Sequence, residues 1–288
     1  MDFTQYWFML PIATMVATTA MLSGIGGAAL FTPIFVIIFP LLGPQYPLES
    51  TVAAIGTALL TETFGFSSGF VGYYRKNLID FSIAAKFLKV SIPVAILGAL
   101  VAHYIDDSFL MFGYALLVLI LAFVLIFFHH DHSAVKTQTG SGTQKVIKID
   151  NKGVRHEYDL PSLNFVSGLI TSIGAFFTGL LSVGIGEVVV PQLTKRGVPI
   201  GVAAATSVAV VIVTVAAASF TLIAQLINAG GLSAVPWNLV IYTIPGVIIG
   251  GQIGPRLQGF VTQRSMERAI GGLFIIIAVA MFIIALKR

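Results

Sequence analysis

The sequence predicts an all-α polytopic membrane protein made of two inverted repeats, each with one glycine-broken segment and three full spans. Composition, long apolar stretches and a duplicated glycine motif lead to this prediction. Of the 288 residues, 57% are hydrophobic and only 10% are charged, whereas soluble domains usually carry about 25% charged residues. The mean hydropathy is +0.95. This composition excludes a cytosolic enzyme, a nucleic-acid-binding protein and a disordered chain.

Full spans are predicted where apolar sequence is long enough to cross roughly 30 Å of hydrocarbon as a helix. Six stretches meet this condition: 51–72, 82–104, 109–128, 201–227, 237–256 and 268–286. We interpret the net charge of +4 first as a sign of membrane topology and only then as a sign of anionic partners, because Lys and Arg concentrate in cytoplasmic loops. We expect contacts with membrane lipids and none with nucleic acid.

Two longer apolar regions are predicted to be broken. Residues 8–42 are interrupted by SGIGG at 23–27, and residues 163–194 are interrupted by SVGIG at 182–186. Glycine at this density weakens a helix and permits close backbone approach. Each region is expected to form two short spans or a re-entrant hairpin, which membranes tolerate only against protein or a wet cavity.

A polar segment, 129–161, separates a first transmembrane repeat (1–128) from a second (162–288). Residues 145–158 alternate in polarity around a polar turn and predict a small β-hairpin. Because a lone hairpin is marginally stable, it is expected to dock on the membrane domain or on a neighbour. The histidines at 129–132 are interpreted as part of a solvated loop, so neither a metal site nor a cofactor is predicted.

The cysteine count and the N-terminus restrict the chemistry further. The chain contains no cysteine, which excludes disulfides, thiolate nucleophiles and Cys-based metal sites. Residues 1–5 lack the basic region of a cleaved signal peptide. We therefore expect the first apolar stretch to remain in the protein.

The two halves repeat glycines and prolines at matching positions. Residues 26–33 (GGAALFTP) align with 184–191 (GIGEVVVP) without a gap. Downstream, each half places a further proline just before its next span and another within a later span: Pro47 with Pro199, and Pro93 with Pro245. Such spacing indicates an internal duplication.

Charge predicts that these repeats are inverted. Lys and Arg occur in four main clusters: 75–76, 136–155, 195–196 and 256–268. If each broken segment crosses an even number of times, all four clusters fall on one side, which the positive-inside rule makes cytoplasmic, and only Lys287 and Arg288 lie on the other. The 129–161 loop is then cytoplasmic and both termini are outside. Corresponding loops face opposite sides, as in the inverted repeats of alternating-access transporters.

Several short motifs together resemble the TauE/SafE family of sulfite exporters, also called the 4-toluene sulfonate uptake permease group. They are GIGG at 24–27 before Pro33, GIG at 184–186 before Pro191, GTALLTE at 56–62, GYYR at 72–75 with Asp80, and ATS at 205–207. The similarity covers essentially the whole chain apart from 129–161. It implies transport of sulfur-containing anions such as sulfite, thiosulfate and sulfonates. One departure is Glu187, where many members have a small or apolar residue.

The predicted anion site lies where the two glycine breaks meet. A half-helix that starts inside the membrane leaves its first N–H groups without intrahelical partners, and these donors with the helix dipole favour an anion. The residues expected at the site are Gly26, Gly27, Gly184 and Gly186, with Gln192, Thr206 and Ser207 completing the hydrogen bonding. The alternative is that the glycines only permit close helix packing.

Two carboxylates lie inside apolar sequence, Glu62 in the 51–72 stretch and Glu187 in the second break. Each costs about 3 kcal/mol if it is ionised at the membrane centre. Both are candidates to carry a coupling proton during transport, and a structural, hydrogen-bonded glutamate is the equal alternative for each.

The sequence therefore predicts a transporter that moves sulfite or a related sulfur anion across the cell membrane, outward, by alternating access. An anion channel is one alternative. A serine hydrolase is another, because GFSSG from Gly65 to Gly69 matches G-x-S-x-G, a pattern that needs a strand-to-helix elbow. Packing of the two glycines as G-x-x-x-G is favoured instead. The same spacing predicts close packing of a later span at Gly246, Gly250 and Gly254.

Overall fold

A computed structural model describes residues 4–23, 26–46, 48, 50–127, 145–151, 153–257 and 263–287. In chain order the helices are α1 (Met9–Ser23), α2 (Ala28–Pro33), α3 (Phe39–Leu42), α4 (Thr51–Arg75), α5 (Phe81–Ala102), α6 (Asp107–Phe127), α7 (Phe165–Leu181), α8 (Ile185–Thr194), α9 (Ile200–Gly230), α10 (Trp237–Leu257) and α11 (Gln263–Lys287). A π-helical segment, Ile34–Ile38, joins α2 to α3, and a 3-10 turn, Leu232–Ala234, precedes α10.

Five helices in the described part of the chain are long and apolar enough to span a membrane: α5, α6, α9, α10 and Arg268–Leu286 of α11. They confirm five of the six predicted spans and the all-α polytopic membrane class. The sixth stretch forms α4, which is 25 residues long but is not one of the five helices that are long and apolar enough to span a membrane. The polar residues Thr57, Thr61 and Glu62 lie in α4 and are buried in the protein, so α4 is an interior helix that needs less apolar surface.

Both predicted breaks are present. The first separates α1 from α2 after Ser23, and the second separates α7 from α8 after Leu181. At the second break Ser182 adopts a left-handed conformation with φ +62° and Gly184 has φ +140°. Only glycine adopts a φ of that size without strain, so the sequence SVGIG ends one helix and begins another here.

Contacts along α5 and α9 show that these helices are parallel. The Asp80 N–H at the start of α5 donates to Thr206 Oγ1 near the start of α9 at 2.9 Å. Further along both helices, the Ser91 and Thr214 hydroxyls are 2.7 Å apart.

Helix α7 begins at the same end of the bundle. Lys86 Nζ of α5 donates to the carbonyl of Pro161, just ahead of α7, at 3.2 Å, and Gly98 lies against Phe176 further along. Because α7 and α9 both begin at this end, α8 must bring the chain back to it. The second broken segment is therefore a helical hairpin that enters and leaves at one end.

The predicted close packing at three glycines of α10 is confirmed against α1. A Cβ on Gly246 would lie 2.5 Å from the Leu10 carbonyl oxygen, and one on Gly254 would lie 2.4 Å from the Met21 Cβ; between them, Gly250 meets the Thr14 carbonyl oxygen at 2.4 Å. Their order also shows that α1 and α10 are parallel.

Helix α4 is parallel to α10 as well. Gly65 and Gly72 of α4 lie against Val247 and Pro255 of α10, in the same order along both helices. Since α1 and α4 both run with α10, they begin at the same end, and the first broken segment also returns to the end where it started.

Corresponding helices of the two halves run in opposite directions. Gly56 near the start of α4 lies against Leu222 near the end of α9, while Tyr73 near the end of α4 and Ala204 near the start of α9 line one cavity. Helices α6 and α11 are antiparallel in the same way. This is the arrangement that inverted repeats require.

The predicted β-hairpin is present and docks on the membrane domain. Its strands, β1 (Lys145–Ile149) and β2 (Arg155–Asp159), are antiparallel. The Asn151 N–H donates to the Lys76 carbonyl at 3.2 Å, and Asn77 Nδ2 donates to the Ile149 carbonyl at 2.9 Å. We call the end of the bundle that carries this contact, where α4 ends and α5, α7 and α9 begin, the hairpin end.

Candidate substrate site at the two helix breaks

The two breaks meet through the Glu187 side chain. The Gly26 N–H donates to Glu187 Oε1 at 3.2 Å, across the boundary between the two halves. The Gly184 N–H donates to Glu187 Oε2 at 3.1 Å. One carboxyl group therefore accepts a backbone donor from each break.

Glu62 reaches the same place from the middle of α4. A Cβ built on Gly26 would lie 2.9 Å from Glu62 Oε1 and 3.7 Å from Glu187 Oε1, so both carboxyl groups flank this glycine. The backbone N–H groups of Gly27 and Ala28, at the start of α2, interact with the Glu62 carboxyl. Glu62 is 3% exposed, and its Oε1 has no hydrogen-bond partner among the described residues.

Hydroxyl groups that the sequence did not single out complete the surroundings. Thr178 Oγ1 accepts from the Ile185 N–H at 2.8 Å and so caps α8. The Thr32 and Ser182 hydroxyls, one beside each break, are 2.8 Å apart. Tyr114, contributed by α6, donates to a backbone carbonyl of α2 at 2.7 Å. Thr178 and Tyr114 lie within apolar runs without any motif, and Thr32 and Ser182 lie in the repeated glycine segments; only the packing of the helices reveals that these hydroxyls surround the breaks.

The structure brings most of the predicted site residues together. Gly26, Gly27, Gly184, Glu62 and Glu187 lie at the meeting of the breaks. Gly186 lies in the first turn of α8, where it is buried.

The three predicted polar residues lie further away. Gln192 donates to Thr171 of α7 at 3.2 Å, and Thr206 accepts the Asp80 N–H at the hairpin end. Ser207 lines a cavity on the hairpin-end side of the breaks. The hydrogen bonds of Gln192 and Thr206 therefore connect helices within the protein.

The surroundings of the breaks differ towards the two ends of the bundle. Towards the hairpin end, a narrow cavity is lined by Ala20, Met21, Phe66, Tyr73, Val190, Ala204, Ser207, Val208 and Val211. Towards the opposite end, a column of buried aromatic rings follows α2 and α3: Phe31, Phe35, Phe39 and Tyr6, with neighbouring ring centroids 5.3 to 5.8 Å apart. The breaks are thus closed towards that end.

The electrostatics of the site combine opposite effects. Two half-helix N-termini place partial positive charge and N–H donors at one point. The carboxyl groups of Glu62 and Glu187 lie at those donors, where an anionic ligand would bind. When ionised they repel such a ligand; when protonated they are neutral and can donate to it.

The hydrolase interpretation fails on local geometry. Ser67 lies within the continuous helix α4, and its hydroxyl donates to the Thr63 carbonyl at 2.6 Å. Gly65 packs on α10, and Gly69 packs on Met21 of α1. The G-x-S-x-G pattern is a packing motif here, without the strand-to-helix elbow that a nucleophile needs.

Metal-binding groups of three or more His, Asp or Glu are absent from the part of the chain that the structure describes. The histidines at 129–132 lie outside the described residues.

Comparison with known proteins adds to this geometry. The family model "Sulfite exporter TauE/SafE" matches residues 9–281. The chain belongs to the TauE/SafE family. It is also 21% identical to the "Probable membrane transporter protein YunE" of Bacillus subtilis (strain 168) over 255 residues, which is 88% of this chain and 89% of that protein. No solved structure matches the chain. This TauE/SafE protein is therefore a multi-pass membrane transporter.

Proposed function

We propose that this protein is a secondary transporter for sulfite, thiosulfate or a sulfonate-type anion in the cell membrane. Residues 1–128 and 162–288 are its two inverted repeats, and substrate binds where their glycine breaks meet. The observation that carries the proposal is the convergence of two half-helix N-termini, one from each repeat, on the same buried point. Family membership adds the sulfur-containing substrate class.

Glu62 and Glu187 act as tethered anions in the proposed cycle. Without substrate they occupy the donors of the two breaks. A substrate anion needs those donors, and it is repelled while both carboxyl groups are charged. Protonation of the pair therefore accompanies anion binding, which makes the coupling ion a proton.

Alternating access is supported by the unequal ends of the path. A narrow cavity lies on the hairpin-end side of the breaks, whereas stacked aromatic rings close the opposite side. A carrier is open to one side at a time, while an open channel connects both. The structure fits the state of a carrier that is closed towards the end opposite the hairpin.

The hairpin end is cytoplasmic in this proposal. The cations Arg75, Lys76, Lys195 and Arg196 lie at this end, in agreement with the positive-inside rule. The termini then face outward and 129–161 is a cytoplasmic loop. A divalent sulfur anion that moves with one proton has a net negative charge, so an inside-negative membrane potential drives it outward.

Transport by the purified protein in proteoliposomes tests this function. Uptake is compared for sulfite, thiosulfate, sulfate, a sulfonate and a carboxylate. We expect sulfite, thiosulfate or the sulfonate to be transported, and we expect Gly26→Ala to reduce the rate at least tenfold because its Cβ displaces Glu62 Oε1. Gly272→Ala is the control, since a Cβ there meets open space.

Two results contradict the proposal. Transport of the carboxylate alone removes the sulfur-anion assignment while it leaves the transporter. Equal rates for Gly26→Ala and Gly272→Ala, with a sulfur anion transported, remove the substrate site from the helix breaks.

A further inference from the structure

Asp80 connects three parts of the molecule at the hairpin end. Its carboxyl Oδ2 accepts the Tyr158 hydroxyl of β2 at 2.7 Å, and its N–H donates to Thr206 of α9 at 2.9 Å. Its other oxygen, Oδ1, caps α5 by accepting the N–H groups of Ser82 and Ile83 at 2.9 and 3.1 Å. The side chain is 6% exposed. Asp80 thus links the hairpin, the first repeat and the second repeat.

The face of the hairpin that carries Tyr158 is held against the same turn. Lys148, on this face, donates from its Nζ to the Ile79 carbonyl, next to Asp80. Tyr158 is 5% exposed. Burial and the Asp80 carboxylate raise the pKa of Tyr158, so its hydroxyl stays protonated and remains a donor at neutral pH. A hydrogen bond to an ionised acceptor is about twice as strong as one between neutral groups.

Thr206 lies beside the wall of the cavity on the hairpin-end side of the breaks. Its neighbours Ala204 and Ser207 both line that cavity, and Ser207 is 3% exposed. The bond from Asp80 to Thr206 therefore fixes the first turns of α9, which form the wall on the hairpin-end side. The cavity is lined by residues of α1, α4, α8 and α9, so release of α9 from α5 would free the α9 side of the cavity to move relative to the other three helices.

We propose that Tyr158, Asp80 and Thr206 form a latch through which the β-hairpin holds this wall of the cavity in place. Tyr158 and Asp80 are positioning residues that act through Thr206, and Thr206 serves the latch instead of binding substrate. The latch deepens the proposed function, because it controls access to the proposed path. Its contacts, however, do not depend on which anion is carried.

Thiol labelling tests the latch without any substrate. The chain has no cysteine, so Ser207→Cys places a single reporter on the cavity wall. A membrane-impermeant maleimide is added from the hairpin side of oriented vesicles, and the labelling rate is measured. We expect Tyr158→Phe to raise this rate about tenfold, because loss of a charge-assisted bond lets the first turns of α9 open locally more often and expose the reporter.

Tyr74→Phe is the matched control. Tyr74 lies near the end of α4 and is 60% exposed, so loss of its hydroxyl should leave labelling at Ser207→Cys unchanged. Labelling at Lys195→Cys, which is already exposed at the same end, should be equal in all variants and so reports any general loosening. If Ser207→Cys does not assemble, Ala204→Cys reports on the same wall.

Removal of the other two partners should reproduce the effect. Asp80→Asn keeps the backbone donor and an oxygen for the α5 cap but weakens acceptance from Tyr158, and Thr206→Val removes the acceptor on α9. The combination of Tyr158→Phe with Asp80→Asn should label no faster than the faster single variant, since both substitutions break the same interaction.

Equal labelling in Tyr158→Phe and Tyr74→Phe, or faster labelling that also appears at Lys195→Cys, overturns the latch. Failure of sulfur-anion transport alone does not affect this result.

Discussion

The two glycine breaks differ in how their backbone donors are satisfied. At the second break, the Gly184 N–H is bonded to Glu187 of the same half-helix, and the Ile185 N–H is bonded to Thr178 of α7. At the first break, the Gly26 N–H is bonded to Glu187 of the other repeat. The second break caps itself, whereas the first depends on side chains from elsewhere.

The two breaks also differ in backbone conformation. Gly184 has φ +140°, and a Cβ there would lie 2.7 Å from the Gly174 carbonyl oxygen. Gly27 instead has ordinary helical angles, φ −64° and ψ −31°. The second break therefore has the more constrained backbone, and in the proposed mechanism we expect the first break to exchange its carboxyl partner for a ligand with less change in its own half-helix.

The largest expected effect is on the second break. Gly184→Ala adds backbone strain of about 1–3 kcal/mol and a clash with Gly174, so we expect a large loss of thermal stability in detergent. Gly231→Ala is the control. Its φ is +72° but a Cβ there meets open space, so this variant should lose only the stability that the backbone strain costs. Equal melting temperatures for the two variants would show that the close contact with α7 is unimportant.

A smaller effect is expected at the hydroxyl pair between the breaks. Thr32→Val removes the hydrogen bond to Ser182 and should cost about 1 kcal/mol of stability. Thr214→Val removes a matched Thr–Ser pair with Ser91, at 2.7 Å and equally buried, and should cost about the same. Only Thr32→Val should also weaken anion binding severalfold. Equal anion binding by both variants would show that the Thr32–Ser182 pair does not contribute to the substrate site.

The sequence was sufficient for features that depend on composition and local backbone chemistry. Apolar length identified the spans, the glycine-rich segments marked both breaks, and alternation identified the hairpin. Glu62 and Glu187 could be selected because carboxyl groups are costly in apolar sequence.

Features that depend on packing between distant helices could not be predicted in this way. Thr206 and Gln192 have suitable side chains, but their positions along their helices bring them to Asp80 and Thr171. Tyr114 reaches the first break from α6, and no pattern in the sequence identifies it. Which polar side chains share a site is set by the register between helices, which only the tertiary structure specifies.

In the proposed mechanism, the carboxyl groups of Glu62 and Glu187 occupy the donors that a substrate anion needs. The most direct test of this mechanism is the number of protons taken up when a sulfonate binds to the purified protein, measured by titration calorimetry in two buffers with different ionisation enthalpies. A sulfonate keeps its charge near neutral pH, so any proton uptake belongs to the protein. We predict uptake of about one proton per anion in the unaltered protein and clearly less in Glu187→Gln. Tight binding without proton uptake, or equal uptake in both proteins, would contradict the account.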